Sequence, residues 1–257
     1  MNTQEWPAND YAIGSYIQAS VNSQYLPDLD LSATDRVLDI GCGDGGFTKK
    51  ILERAPSMSL LGVDASQNML HLAKQLGNEF PNFSVQQVPV ENMHFNNEFD
   101  HVVSFFCLQW ATDIHQAFAN IFAALKPGGK LLTVFPSGDD PYIMGYHALK
   151  KSGQFKSLDN FIAPVDYSQM NKLSDKLSDL GFSKLKVELH QQSIPVPSLV
   201  EYKKFVDGIA FYQGQVPDEE IPLINEAMLQ YFANECKEKY QGDYRFNFTN
   251  YLITGVK

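Results

Sequence analysis

Residues Val37 to Thr48 read Val-Leu-Asp-Ile-Gly-Cys-Gly-Asp-Gly-Gly-Phe-Thr, an apolar run that ends beside an acid and passes into four glycines. The layout predicts a buried strand, a tight turn and a helix opening near Gly46, the βα unit of a nucleotide-binding α/β fold. Glycines in such a turn let backbone N–H groups approach a ligand closely. Gly41, Gly43 and Gly46 also satisfy the spacing G-x-G-x-x-G, and Asp64 follows Gly43 by 21 residues, where a ribose-binding acid is expected. By itself the fingerprint does not choose between cofactors, and a βα turn with no ligand at all remains the simplest alternative to it.

Charge makes the choice. Asp39 precedes the first glycine by two residues and Asp44 lies inside the loop, so a pyrophosphate would meet two carboxylates. At ~6 Å and an effective dielectric of ~20, each such pair would cost about 3 kcal/mol. S-adenosylmethionine carries no phosphate; it offers a sulfonium, an ammonium and a ribose diol, each of which suits an acidic rim.

Val-Leu-Asp-Ile-Gly-Cys-Gly-Asp-Gly resembles the first motif of the class I S-adenosylmethionine-dependent methyltransferases, and Leu61-Gly62-Val63-Asp64-Ala65-Ser66 resembles their acidic second motif. The stretch Ser104-Phe105-Phe106-Cys107-Leu108-Gln109-Trp110 is similar to a narrower branch, the juvenile hormone acid, trans-aconitate and malonyl-carrier-protein methyltransferases, all of which esterify carboxylic acids. The juvenile hormone acid type also has a tyrosine seven residues before a glutamine in its leader, a spacing that Tyr11 and Gln18 match. The resemblance implies cofactor binding by Asp39, Gly41, Cys42, Gly43, Asp64, Ala65, Met69, Val90, Glu91, Ser104 and Phe105, and a substrate carboxylate held by Gln18 and Trp110. On the residues alone, Gln18 reads as a solvated surface glutamine, and a plain core aromatic is the rival reading of Trp110.

One departure stands out. The family usually has Asp-Ala where this chain has Pro89-Val90, and proline supplies neither a carboxylate for the adenine amino group nor an N–H. The Val90 N–H, Glu91 and Gln87 are the candidate substitutes.

The rest of the chain reads as a doubly wound, mostly parallel seven-stranded α/β sheet with helices on both faces and an added helical cap. A leader helix spans Tyr11 to Leu26, then strands and helices alternate through Phe135, which implies parallel strands with right-handed crossovers. Ser66 is placed to cap a helix ending at Gly77, Lys126-Pro127-Gly128-Gly129-Lys130 to turn into a strand, and Ser168 to cap a helix running to Leu180. Lys184 to Leu189 reads as an edge strand, Leu199 to Phe211 as a helix, Pro217 as the opening of a long one, and Tyr244 to Val256 as an antiparallel last strand. The expectation is one domain over residues 1–257, with a leader at 1–30 and helical additions at 138–180 and 198–240 over the substrate. Eleven of the 32 aromatics fall in residues 199–257, either packing those helices or roofing an apolar pocket.

With 20 Lys and Arg against 30 Asp and Glu, the formal charge of −10 has the wrong sign for a nucleic-acid surface. Three scattered cysteines, without a C-x-x-C or a zinc spacing, point to a reduced cytoplasmic protein without a structural metal. Neither a signal-peptide pattern nor a run of 18 apolar residues occurs. No obligate protein partner is evident. The expected reaction is methylation of a carboxylate oxygen on a small organic or fatty acid; the alternatives are N- or C-methylation of another metabolite, or a non-catalytic cofactor-binding or NAD-binding protein. A carboxylate with a pKa of ~4 is ionised at neutral pH and needs no general base. His94, the histidine best placed to serve as one, has no recognisable partner.

Overall fold

The computed structural model describes residues 5, 6, 11, 15–171 and 173–257. Helix α1 (Tyr16–Tyr25) precedes β1 (Arg36–Ile40), α2 (Gly46–Arg54), β2 (Ser59–Asp64), α3 (Gln67–Ala73), β3 (Phe83–Gln87), β4 (Phe99–Phe105), α4 (Ile114–Ala124) and β5 (Leu125–Pro136). Four helices and two strands follow: α5 (Pro141–Ser152), α6 (Leu173–Asp179), β6 (Ser183–Pro195), α7 (Leu199–Asp207), α8 (Ile221–Tyr240) and β7 (Arg245–Val256). The seven strands form one sheet in the order β3-β2-β1-β4-β5-β7-β6. Strands β1 to β5 run parallel, and β7 enters antiparallel between β5 and β6.

Strand β4 shows why the parallel half reads as an unbroken apolar run: it is covered on both faces. Val103 and Phe105 belong to one core with Ile17, Ile51 and Leu52, while Val102 belongs to the other with Leu38, Phe118 and Ile121. The order reverses between β1 and β4, so the carboxyl ends of these strands open into the crevice where α/β folds bind ligands. Helices α5, α7 and α8 extend the first core, through Tyr142, Tyr146, Phe205 and Phe232.

Several boundaries differ from the sequence reading. Ser66 does cap α3, accepting the Met69 N–H, but the α-helix stops at Ala73 and tightens into a 3-10 turn that carries Gly77. Near 168 the cap is Asp166, whose carboxylate accepts the Ser168 N–H; a short 3-10 turn intervenes before α6. Helix α7 ends at Asp207, before Gly208, and α8 opens at Ile221 with Pro222 in its first turn rather than at Pro217. Strand β5 runs through the Pro-Gly-Gly segment, with a register shift against β4. Strand β6 continues past Leu189 to Pro195, because β7 pairs with its polar half as fully as with its alternating half. Tyr11 is helical as expected, Ser15 is a turn and the helix resumes at Tyr16; the part of that expectation at residues 12–14 lies outside the described residues.

Candidate active site

The turn after β1 is built from left-handed glycines, Gly41 (φ +71°), Gly43 (φ +57°) and Gly45 (φ +84°). At Gly41 the requirement is also one of space: a Cβ there would lie 2.3 Å from the Cβ of Cys107, so the loop after β4 closes directly on this turn. The Gly41 and Cys42 N–H groups donate to the Val63 carbonyl at 2.7 and 3.1 Å, which ties the turn to β2.

Asp64 joins the two loops. One carboxylate oxygen accepts the Gly43 N–H at 3.0 Å and the other the Ser66 N–H at 2.9 Å. Burial raises its pKa, against the pull of the Ser66, Gly43 and Ala65 amides. A carboxylate offers about four acceptor positions, so one beyond these three amides remains for a hydroxyl donor. Asp64 stands on the wall of a cleft at the strand ends, together with Gly41, Gly43, Ala65, Met69, Val90, Glu91 and Phe105.

Three residues assigned to this site by sequence have their side chains elsewhere. Asp39 is 3% exposed, accepts the Thr48 hydroxyl at 2.7 Å beneath α2, and is not on the cleft wall. Cys42 points its sulfur under β2, where a Cβ on Gly62 would come within 2.8 Å of it. Ser104 is fully buried and donates to the Ile40 carbonyl. The two acids expected to set the sign of the rim are engaged elsewhere: Asp39 faces Thr48, and Asp44 accepts the Gly46 N–H. Among the described residues the carboxylates that edge the cleft are Asp64, Glu91 and Asp140, so the wall is acidic through a different set of residues.

In the segment after β3, Pro89, Val90 and Glu91 line the cleft, and the Val90 and Glu91 carbonyls accept both bonds of the Asn120 amide, at 2.9 and 2.8 Å. One Glu91 carboxylate oxygen is engaged by the Thr112 N–H and hydroxyl, while Gln87 donates to the Ala65 carbonyl. Both candidate substitutes for the missing acid thus have partners within the protein.

Gln18 and Trp110, 92 residues apart in sequence, share the cleft wall. Phe106 takes a left-handed φ of +54° and turns the chain into the 3-10 segment Leu108–Trp110. Trp110 meets Trp6 edge-on at 4.9 Å and Phe211 at 6.4 Å. Gln18, half-buried on α1, has a buried side-chain carbonyl without a hydrogen-bond partner. The sequence reading missed Trp6, Asp140 and Tyr142 on this wall. For Asp140 a signal was present: aspartate directly before proline is a helix start, and Asp140 caps α5 with Pro141 in its first turn. Among the described residues, this wall includes no histidine, lysine or arginine.

A family profile described as a methyltransferase domain matches residues 37–129, which covers the glycine turn, Asp64 and Trp110. The chain belongs to the class I S-adenosylmethionine-dependent methyltransferases. Among relatives of this methyltransferase, the juvenile hormone acid O-methyltransferase of Drosophila melanogaster is 29% identical over 234 residues, 82% of this chain and 78% of that enzyme. A putative methyltransferase of Invertebrate iridescent virus 6 is 28% identical over 63% of this chain, and the match spans only 60% of the viral protein. The YcgJ protein of Bacillus subtilis shares the methyltransferase fold, with a TM-score of 0.61 at 16% identity, covering 93% of this chain and 98% of that one.

The residues fit the donor. Asp64 keeps acceptor capacity beside a glycine turn, the wall is acidic toward a cation, and Met69, Val90 and Phe105 supply an apolar rim for a flat ring. His101, His190 and His115 pair respectively with Asp35, the Tyr25 hydroxyl and Lys176, all away from this wall.

Proposed function

We propose that the protein methylates the carboxylate oxygen of a small-molecule acid, with Gln18 and Trp110 positioning that carboxylate. The observation that carries this reading is the sharing of one wall by Gln18 and Trp110 with Asp64, in a cleft whose described residues include no histidine or lysine. The name of the Drosophila relative assigns it a carboxylic acid, which supports the same reading.

S-adenosylmethionine supplies, when bound, a methyl group activated by its sulfonium charge. Asp64, Gly41, Gly43, Ala65, Met69, Val90, Glu91 and Phe105 would hold it. The protein's remaining work is to align the acceptor and keep water away. The Gln18 amide and the Trp110 indole are neutral donors; they can orient a carboxylate without taking or giving a proton. An ionised acid needs nothing more, which accords with a wall whose described residues include no histidine. The edge contacts of Trp6 and Phe211 with Trp110 fix the indole and shield the acceptor end from solvent. Helices α5 and α7 bring Tyr142, Ile143 and Phe205 over the cleft, as a substrate cap would.

Incubation with an isotopically labelled methyl donor and a panel of acids tests the reaction, with base-labile ester as the expected product. Gln18→Ala and Trp110→Phe should each lower kcat/KM for the acid by about tenfold or more, at unchanged affinity for S-adenosylhomocysteine by calorimetry. Full turnover in either variant removes that residue from the site. Stabilisation by NAD and not by S-adenosylhomocysteine in thermal melts, where ligand at ~100 times its Kd adds about 2.7 kcal/mol, would overturn the cofactor assignment.

A further inference from the structure

Much of the cleft wall is apolar, formed by Ile143, Val165, Phe205, Ile209, Phe211 and Phe246. Among the polar groups that interrupt it are two neighbours at the start of α5, with Tyr167 also close to the first of them. Asp140 is 6% exposed; one carboxylate oxygen caps α5 by accepting the Tyr142 and Ile143 N–H groups, each at 3.0 Å, and the other has no partner among the described residues. Tyr142 is 3% exposed, its ring set edge-on to Phe205 and Phe211 at 6.2 and 5.4 Å, and its hydroxyl makes no hydrogen bond. The Tyr212 hydroxyl lies close enough to interact with it, which pulls the Tyr212 pKa down against the effect of burial, and a pair of phenols can satisfy only one of their two O–H donors on each other.

The cap explains one oxygen of Asp140, and packing explains the ring of Tyr142. Neither explains a spare acceptor and a spare donor left together on an apolar wall, where unpaired polar groups are unfavourable. A hydroxyl is the group that answers both, donating to the carboxylate and accepting from the phenol. A second carboxylate on the substrate is excluded, since Asp140 would repel it, and a plain hydrocarbon would strip water from both groups and return nothing.

We propose that Asp140 and Tyr142 form a distal subsite for a hydroxyl group, so that the preferred acceptor is an apolar acid carrying a hydroxyl away from its carboxylate. The proposal rests on the carboxyl reading above for the orientation of the substrate, with its acid end at Gln18 and Trp110. Sites built to hydrogen-bond a substrate hydroxyl discriminate strongly against analogues that lack it, because their own polar groups are then left unpaired.

The test is calorimetric titration of the protein, saturated with S-adenosylhomocysteine, with hexanoic to dodecanoic acids and their ω-hydroxy counterparts. At the chain length that spans the cleft, the hydroxy acid should bind about tenfold tighter or more than its parent. Asp140→Asn keeps the helix cap, since Asn caps as well as Asp, but puts an N–H where the spare acceptor stood; it should bring the ratio near one. Tyr142→Phe should lower the ratio by a smaller factor. Parent acids that bind as tightly as hydroxy acids at every length, or an Asp140→Asn variant that keeps the preference, would overturn the subsite. Product analysis separates the two ideas: esters formed without any hydroxyl preference sink the subsite and leave the carboxyl reading standing, whereas methyl ethers in place of esters sink the carboxyl reading and the subsite with it.

Discussion

Asp39 and Asp64 sit at the ends of neighbouring strands, and their surroundings give them different roles. Asp64 is held open to the cleft by two amides, so Asp64→Ala should lower affinity for S-adenosylhomocysteine at least about tenfold in a calorimetric titration, the worth of losing one charge-assisted contact. Asp39 is shut away. Burial pushes its carboxyl up to about 6 from an ordinary 3.8, with the Thr48 bond pulling down and the Asp64 charge adding to the rise. The folded chain therefore holds this proton more tightly than the unfolded one. The destabilisation is absent below about pH 4, grows as pH rises toward 6, and is complete above it, at on the order of 3 kcal/mol. Asp39→Asn retains an acceptor for Thr48 and should raise stability at neutral pH while flattening the fall between pH 4 and 6, measured by urea unfolding across that range. Asp140, also raised to about 6 by burial, keeps its own share of the slope.

At the level of elements, the glycine turn and the caps are where sequence signals translate directly into backbone. Gly41 and Gly43 look alike in the motif but not in space. Gly41→Ala would add a left-handed penalty to a collision with Cys107, and should destabilise by about 3 kcal/mol or more in thermal unfolding. Gly43→Ala, whose Cβ would meet nothing nearer than Tyr11 at 3.9 Å, should lose only about 1–2 kcal/mol. Ser66 was legible as a cap because serine before an apolar helical period has one main use. The helix that Asp140 starts carries a weaker signal, being not strongly amphipathic: Tyr142, Ile143, Tyr146 and Leu149 are buried, but so is Gly145, against Met228. The β6 extension was missed for a related reason, its second half being rich in polar residues that carry no alternation.

For the whole molecule, the leader helix that carries Gln18 must be docked for the site to exist. Its anchor is polar: the Tyr25 hydroxyl accepts from Asn250 at 3.2 Å and Gln192 at 3.2 Å and lies 3.0 Å from the His190 ring nitrogen, which ties α1 to β6 and β7. Asn250 is fully buried, so Tyr25→Phe leaves it short of a partner and should cost about 1–3 kcal/mol in urea unfolding. Faster amide exchange in α1 than in β1 or β4 of the same variant would place the loss at the docking surface, and the KM for the acid should rise while affinity for S-adenosylhomocysteine holds. The aromatics of residues 199–257 turn out to serve both uses foreseen for them. Tyr202 stacks on Phe232 at 3.9 Å inside the core, whereas Phe205, Phe211, Phe246 and Phe248 face the cleft.

The order of strands and helices, the glycine turn, and the acid after the second strand were written in the chain itself, because each depends on local periodicity or on backbone angles that only glycine adopts readily. Tertiary structure alone decided which acids edge the cleft. A side chain at a strand end can face a ligand or a neighbour, and Thr48, 9 residues on and brought round by α2, took Asp39. It also decided that Gln18 and Trp110 share one cleft wall, and that Asp140 and Tyr142 join them on it, since those placements depend on helix docking across the sheet rather than on any spacing along the chain.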